Sequence, residues 1–334
     1  MNAPAAPRPP RAFDQHGRLI DYLRISITDQ CNERCLYCRP AAFKGWSPRE
    51  DHLSTADLIR VIETCHEAGF RAFRLTGGEP LLRPDVEMLV QAIHRLPDVR
   101  RIAMSSNGTR LAARAKALRG AGLQSVNISL DSLDPEAYGR LTGGRLSDAL
   151  AGIEAALDHG LSLKLNCVLL RGMNEDQWWP LIEFAAARRV PIRFIELMPL
   201  TLTDATGRDR FIGVQEVLER LQTQHDLIPL AHGLSGDGPA RYYRIPGLEA
   251  EVGFIGALTE TDFCERCNKI RLTADGKLRP CLGRHGEVDL APALHETSAE
   301  PLREALRQTL RDKPKDHQFG DGYEPGRPMI ALGG

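Results

Sequence analysis

The stretch "DYLRISITDQCNERCLYC", residues 21–38, joins an apolar strand pattern to three cysteines spaced C-x₃-C-x₂-C. The run 22–28 alternates Leu and Ile with polar residues and predicts a β-strand. The cysteines follow at once, so they belong to the loop that leaves its C-terminal end. The same texture recurs downstream. Strand patterns occupy 72–76 ("AFRLT"), 101–106 ("RIAMSS"), 125–130 ("SVNISL"), 163–169 ("LKLNCVL") and 192–197 ("IRFIEL"). Helical patterns lie between them, after Ser54 and from Pro84, Arg110, Ser147 and Glu175. Six β-α units in tandem predict an α/β fold with a parallel sheet, curled by right-handed crossovers into a partial (β/α)₆ TIM-like barrel. A doubly wound sheet is the alternative, but no G-x-G-x-x-G follows the first strand.

A chain of 334 residues can bury a core without disulfide staples. Its 43 Lys and Arg balance 44 Asp and Glu, so no global field draws it to nucleic acid or membrane. No apolar run reaches the ~18 residues a membrane helix needs. Residues 1–13, rich in Pro and Ala, predict a disordered leader. The barrel is expected over 14–231. From 232 the texture turns to "HGLSGDGPARYYRIPG", and a smaller β-containing region is expected over 232–334. The expected location is cytoplasmic, where disulfides are rare and cysteines read as metal ligands or redox groups. Two of the eight, Cys65 and Cys167, lie in apolar stretches and read as core.

The other six form two triplets: Cys31, Cys35 and Cys38, then Cys264, Cys267 and Cys281 in C-x₂-C-x₁₃-C spacing. A closed zinc site needs four protein ligands, whereas a cubane cluster held by three cysteines keeps one iron open for a small molecule. For the second triplet a zinc ribbon using His285 is the alternative. Barrel chemistry gathers at the C-terminal ends of strands. Those ends carry Thr28, "TGGEP" from Thr76, "SSNG" from Ser105, "SLDS" from Ser129 and "ELMP" from Glu196. Arg24, Arg74 and Lys164 lie within predicted strands, where a long cation is costly unless it faces the lumen or has partners.

The first triplet, with Tyr37 before its last cysteine, resembles the radical S-adenosylmethionine (SAM) superfamily. With "FRLTGGEPLLR", "SLDSLDPE", "FCERCNKIRLTADGKLRPCL" and the terminal Gly333-Gly334, nearly the whole chain past the leader resembles the GTP 3′,8-cyclase family of molybdenum cofactor biosynthesis. The resemblance implies two [4Fe-4S] clusters, one on each triplet. It implies SAM contacts at Tyr37, Gly78, Ser129 and Met198. GTP contacts are implied at Arg24, Arg74, Ser105, Lys164, Lys269, Ile270 and Arg271. Its chemistry is reductive cleavage of SAM to a 5′-deoxyadenosyl radical, removal of the 3′ hydrogen of GTP, and attack of C3′ on C8. Implied partners are an external one-electron reductant and the next enzyme of the pathway, cyclic pyranopterin monophosphate synthase; a homodimer is an assembly it allows. The tail "PMIALGG" regains apolar character and is expected to thread into the active site. Two rivals remain: a radical SAM peptide modifier, which carries more C-terminal cysteines, and a non-catalytic zinc protein that binds nucleic acid.

Overall fold

The computed structural model describes residues 10–39, 49–200, 208–231, 238–249, 251–320, 323–324 and 326–333. The β-α units are β1 (Tyr22–Ser26), α1 (Thr55–Glu67), β2 (Ala72–Thr76), α2 (Val86–His94), β3 (Arg101–Ser106), α3 (Ala115–Ala121), β4 (Ser125–Ser129), α4 (Pro135–Thr142), α5 (Leu146–Asp158), β5 (Ser162–Val168), α6 (Trp178–Ala187) and β6 (Ile192–Ile195). Neighbouring strands from β1 to β6 pair in parallel, giving the expected open barrel.

Period-two alternation sorts each strand. Leu23, Ile25, Phe73 and Leu75 join the core beneath the helices, and Tyr22, Arg24, Ser26, Arg74 and Thr76 alternate with them. The helices answer with period 3.6: Leu58, Val61, Ile62 and Cys65 form the buried stripe of α1, whose N-cap Ser54 accepts from the Asp57 amide. Cys65 and Cys167 are both buried.

The C-terminal part does not stand as a separate layer. After α7 (Val214–Gln222) come β7 (Ile228–Leu230), β8 (Arg241–Arg244), β9 (Glu251–Ile255), β10 (Lys269–Leu272), β11 (Lys277–Arg279) and β12 (Val288–Asp289). Among the described residues all twelve strands form one sheet, in which β9 pairs parallel with β6 and β10 pairs parallel with β1. Residues after 231 therefore extend both edges of the barrel. Helices α8 (Ala291–His295), α9 (Glu300–Arg311) and α10 (Met329–Leu332) complete the chain.

Two local expectations shift. The helical pattern from Arg110 becomes helix only at Ala115, and Arg114 before it turns its guanidinium onto the Leu81, Arg83 and Pro84 carbonyls and Glu87. Of the leader, residues 1–9 lie outside the described set, but Ala12 is buried and Phe13 bridges Leu19.

Candidate active site

The first cysteine loop leaves β1 and docks on the end of α4: the Arg34 amide donates to Thr142 O at 2.6 Å and the Leu36 amide to Leu141 O at 3.0 Å. Cys31 Sγ receives the Glu33 amide at 3.4 Å and Asn107 Nδ2 at 3.9 Å. Burial pushes the Cys31 and Cys38 thiols up to about 12, so each becomes a ligand only against the positive charge of bound metal. N–H donors aimed at Cys31 sulfur suit a thiolate, and three cysteines on one loop fit a cluster with one open iron.

"TGGEP" lies against this loop. The Gly78 amide donates to Thr28 O and the Glu79 amide to Gln30 O, both at 2.7 Å. A Cβ on Gly77 would stand 2.4 Å from Thr28 O, and one on Gly78 2.3 Å from Gln30 O. The two glycines are required by backbone packed on backbone beside Cys31. Gly78→Ala is therefore expected to cost about 1–3 kcal/mol in chemical denaturation. Because the displaced atoms adjoin Cys31, SAM affinity should fall at least about tenfold (about 1.4 kcal/mol); unchanged affinity in equilibrium dialysis would contradict this placement.

Two buried carboxylates brace the loop. Glu79 accepts from Leu81 N, Ser106 Oγ and Asn107 N at 2.8–3.0 Å, and burial still pushes it up to about 7. Asp131, from "SLDS", accepts from the Tyr37 hydroxyl at 2.7 Å and from Val168 N at 2.8 Å, with burial pushing it up to about 6. Tyr37 is thus pinned. Ser129 ends β4, half-buried. Met198 follows Glu196, whose carboxylate takes Val214 N at 3.0 Å and Leu258 N at 2.8 Å; Met198 packs beside Leu200, Phe319 and Leu332.

Register brings the strand cations together. Arg24 on β1 stands directly opposite Arg74 on β2 and Arg271 on β10. Arg74 donates to the Tyr22 hydroxyl at 2.5 Å, to Met104 O at 2.9 Å and to Ser105 Oγ at 3.3 Å. Asn127, its amide oriented to satisfy both neighbours, accepts from Arg74 Nη1 at 2.9 Å and Arg193 Nη2 at 2.6 Å. Lys164 lies opposite Asn127 in register. Lys269 places its ammonium 5.6 Å from the centre of the Tyr22 ring. Ile270 differs: its side chain is wholly buried in the helix-facing core, so only its backbone can serve the lumen.

Like charges paired across a sheet destabilise it. Burial, then the charges of Arg271, Arg74 and Arg193, holds Arg24 well below the ordinary arginine value. Burial brings Arg271 down to about 10, and burial with Arg193, Arg101 and Arg74 brings Lys164 down to about 7. Such a lumen is built for a polyanion.

The tail enters this lumen. Gly333 O accepts from Arg271 Nη1 at 3.1 Å and Arg24 Nη2 at 3.4 Å. At φ +72°, with a virtual Cβ 2.9 Å from Thr76 Cγ2 and 3.0 Å from Ser26 Cβ, its position admits only glycine. Gly334 lies outside the described residues.

The second triplet frames the β10–β11 hairpin, which returns Cys281 toward Cys264 and Cys267. Cys264 Sγ receives the His317 amide and Cys267 Sγ receives Lys313 Nζ, both at 3.4 Å. Burial pushes Cys267 up, but the charges of Lys313 and Lys269 outweigh it and hold the thiol at about 7. His285 stacks on Tyr323 with ring centres 5.6 Å apart. Among the described residues no three His, Cys, Asp or Glu side chains close round a single ion, and a cubane does not require that, because its cysteines bind separate irons. A cavity of about 750 Å³ opens at the opposite, N-terminal ends of β5 and β9, where Lys164 and Glu251 line it.

The Radical SAM superfamily description matches residues 25–185, and that of Molybdenum Cofactor Synthesis C matches 190–319. A protein of Petrotoga mobilis named GTP 3′,8-cyclase is 37% identical over 96% of this chain and 100% of its own length. One of Pseudomonas putida with the same name is 43% identical over 93% of each chain. The chain belongs to the GTP 3′,8-cyclase family. Among solved structures, Streptococcus suis SuiB bound to its precursor peptide SuiA superposes with a TM-score of 0.62 at 14% identity, covering 95% of this chain and 77% of SuiB. SuiB bound to S-adenosylmethionine gives 0.58 at 15%, over 88% and 69%. At such identities the likeness is one of fold alone. Membership of the GTP 3′,8-cyclase family brings SAM and [4Fe-4S] clusters as cofactors.

Arg193, Tyr22, Glu79, Asp131 and Lys313 escaped the sequence reading of the site. Arg193 had a signal, a lone arginine inside the apolar "IRFIEL". On β6 it faces Asn166, and Gly253 of β9 gives it room, since a Cβ there would stand 2.9 Å from Arg193 Cγ.

Proposed function

We propose that the chain converts GTP to its 3′,8-cyclised dihydro isomer, the first committed step toward molybdopterin, with the triphosphate in the cationic lumen and the base toward the second triplet. The observation that carries this reading is the row Arg271–Arg24–Arg74 in register, flanked by Arg193 and Lys164. Cys31, Cys35 and Cys38 would hold one cluster, and Cys264, Cys267 and Cys281 the other. The first cluster with SAM supplies hydrogen-atom abstraction from an unactivated C–H bond.

The chain's own residues orient and enclose. Arg24, Arg74, Arg193 and Arg271 offer forked donors suited to phosphate oxygens. Ser105, whose hydroxyl accepts from Arg74, would serve the ribose or phosphate side. Tyr37, Gly78, Ser129 and Met198 would hold SAM. The 329–333 tail fills space that water would otherwise take. An external reductant and transfer of the product to the next enzyme belong to the same reading. Among the described residues no helix is long and apolar enough to cross a membrane.

Lys164 supplies a test. Its folded value near 7 lies below the free lysine value, so the empty fold disfavours the charged form. That cost is largest below pH 7 and is relieved as pH rises from there toward about 10. At about pH 8 the empty lumen holds mostly neutral lysine, and a triphosphate restores its charge. GTP binding should then take up close to one proton at about pH 8 and almost none at about pH 6. Calorimetry in two buffers of different ionisation heat reads this directly. Lys164→Met should abolish the uptake; equal uptake in the variant would remove Lys164 from the phosphate site.

A further inference from the structure

Lys313 follows α9 in a polar stretch, "RDKPKDHQF", yet its side chain is 2% exposed. A buried ammonium is costly unless its three donors are met. Here Nζ donates to Pro280 O at 2.7 Å, Lys269 O at 2.9 Å and Cys267 Sγ at 3.4 Å. These acceptors lie on both limbs of the hairpin: Cys267 and Lys269 precede or begin β10, and Pro280 adjoins Cys281. Among the described residues no carboxylate is a hydrogen-bond partner of Nζ.

The backbone around Lys313 is fastened to the same triplet. The His317 amide donates to Cys264 Sγ at 3.4 Å, and His317 Nε2 lies 2.7 Å from Ala257 O. From the opposite side, Arg18 Nη1 donates to Cys264 O at 2.9 Å and to Lys315 O at 2.8 Å, while Gln15 Nε2 donates to Lys313 O at 3.1 Å. Residues 313–317 form a strap across the second triplet, and its one buried charge points at sulfur.

We infer that Lys313 is a positioning residue whose ammonium is the fixed counter-charge of the cluster on Cys264, Cys267 and Cys281 and clamps the two limbs that carry them. The inference rests on the iron–sulfur reading of that triplet. A cation held at a thiolate stabilises the reduced, more negative cluster and raises its potential. A clamp made only of the bonds to the Lys269 and Pro280 carbonyls would not.

The test uses the full chain, reconstituted anaerobically, as wild type, Lys313→Met and Lys313→Arg. Iron and sulfide analysis comes first: zinc without sulfide in the wild type would mean that the iron–sulfur reading itself had failed, before any variant is compared. Redox titration followed by electron paramagnetic resonance then reports each cluster. Lys313→Met should make the second cluster at least about tenfold harder to reduce, about 59 mV more negative, with the first cluster unmoved. Lys313→Arg should stay near the wild-type value. Loss of the second cluster in Lys313→Met alone, with retention in Lys313→Arg, supports the same role. A wild-type potential in Lys313→Met overturns it. So does loss of the second cluster, or of both, in the two variants alike, because packing and not charge would then be what Lys313 provides.

Discussion

Removing Gly333 and Gly334 is expected to lower GTP cyclisation at least about 100-fold while both triplets keep their iron and sulfide. Gly333 O is the acceptor shared by Arg24 and Arg271, which stand side by side in register. Without it two crowded guanidinium groups lose a partner that fixes their separation, and a misplacement of about 1 Å in such a site costs about two orders of magnitude in rate. The deletion removes no cysteine, and α10 holds the tail through the buried Ile330 and Leu332. Gly333→Ala should reproduce much of the loss, because a Cβ at φ +72° meets Thr76 and Ser26. Turnover assays with mass detection, alongside iron analysis, check both; full activity in the truncated chain would remove the tail from the site.

The second large effect is a trade of affinity for stability at Arg271. Its neighbours in register are Arg24 and Arg279, and burial holds it down to about 10. The folded state therefore carries this charge at a cost. Arg271→Met should leave the empty protein equally stable or stabler by about 1–3 kcal/mol. GTP affinity should nevertheless fall by about 2–5 kcal/mol, roughly 30- to several-thousandfold, as expected when one partner of a buried charge pair is truncated. Denaturant titration and equilibrium binding measure the two signs separately. Lower stability with unchanged affinity would make Arg271 a structural residue. Functional sites commonly hold charge in this way against the interest of the fold.

Local pattern carried much of this into view. The strands at 72–76 and 101–106 fall where alternation puts them, "TGGEP" lies against the first cysteine loop, and the strand-borne Arg24 and Arg74 face each other. What stayed hidden depends on non-local pairing. Nothing in the periodicity of β9 or β10 says that they join β6 and β1 on opposite edges, so the placement of Arg271 beside Arg24 required the sheet order. Ile270 followed its neighbours into the expected site because a run of three residues conceals that strand side chains alternate. Arg193 reads as an ordinary strand residue until the lumen is known. Lys313 sits in a polar stretch that looks solvated, and only its contacts with Cys267 and Pro280 reveal a buried cation.

The central claim, that this lumen cyclises GTP by SAM-derived hydrogen abstraction, is tested most directly by anaerobic incubation of the reconstituted chain with SAM, dithionite and GTP. Mass analysis should find 5′-deoxyadenosine and a product isomeric with GTP in equal amounts. 5′-Deoxyadenosine without any GTP isomer, or intact SAM in a protein that carries zinc and no sulfide, would contradict the account.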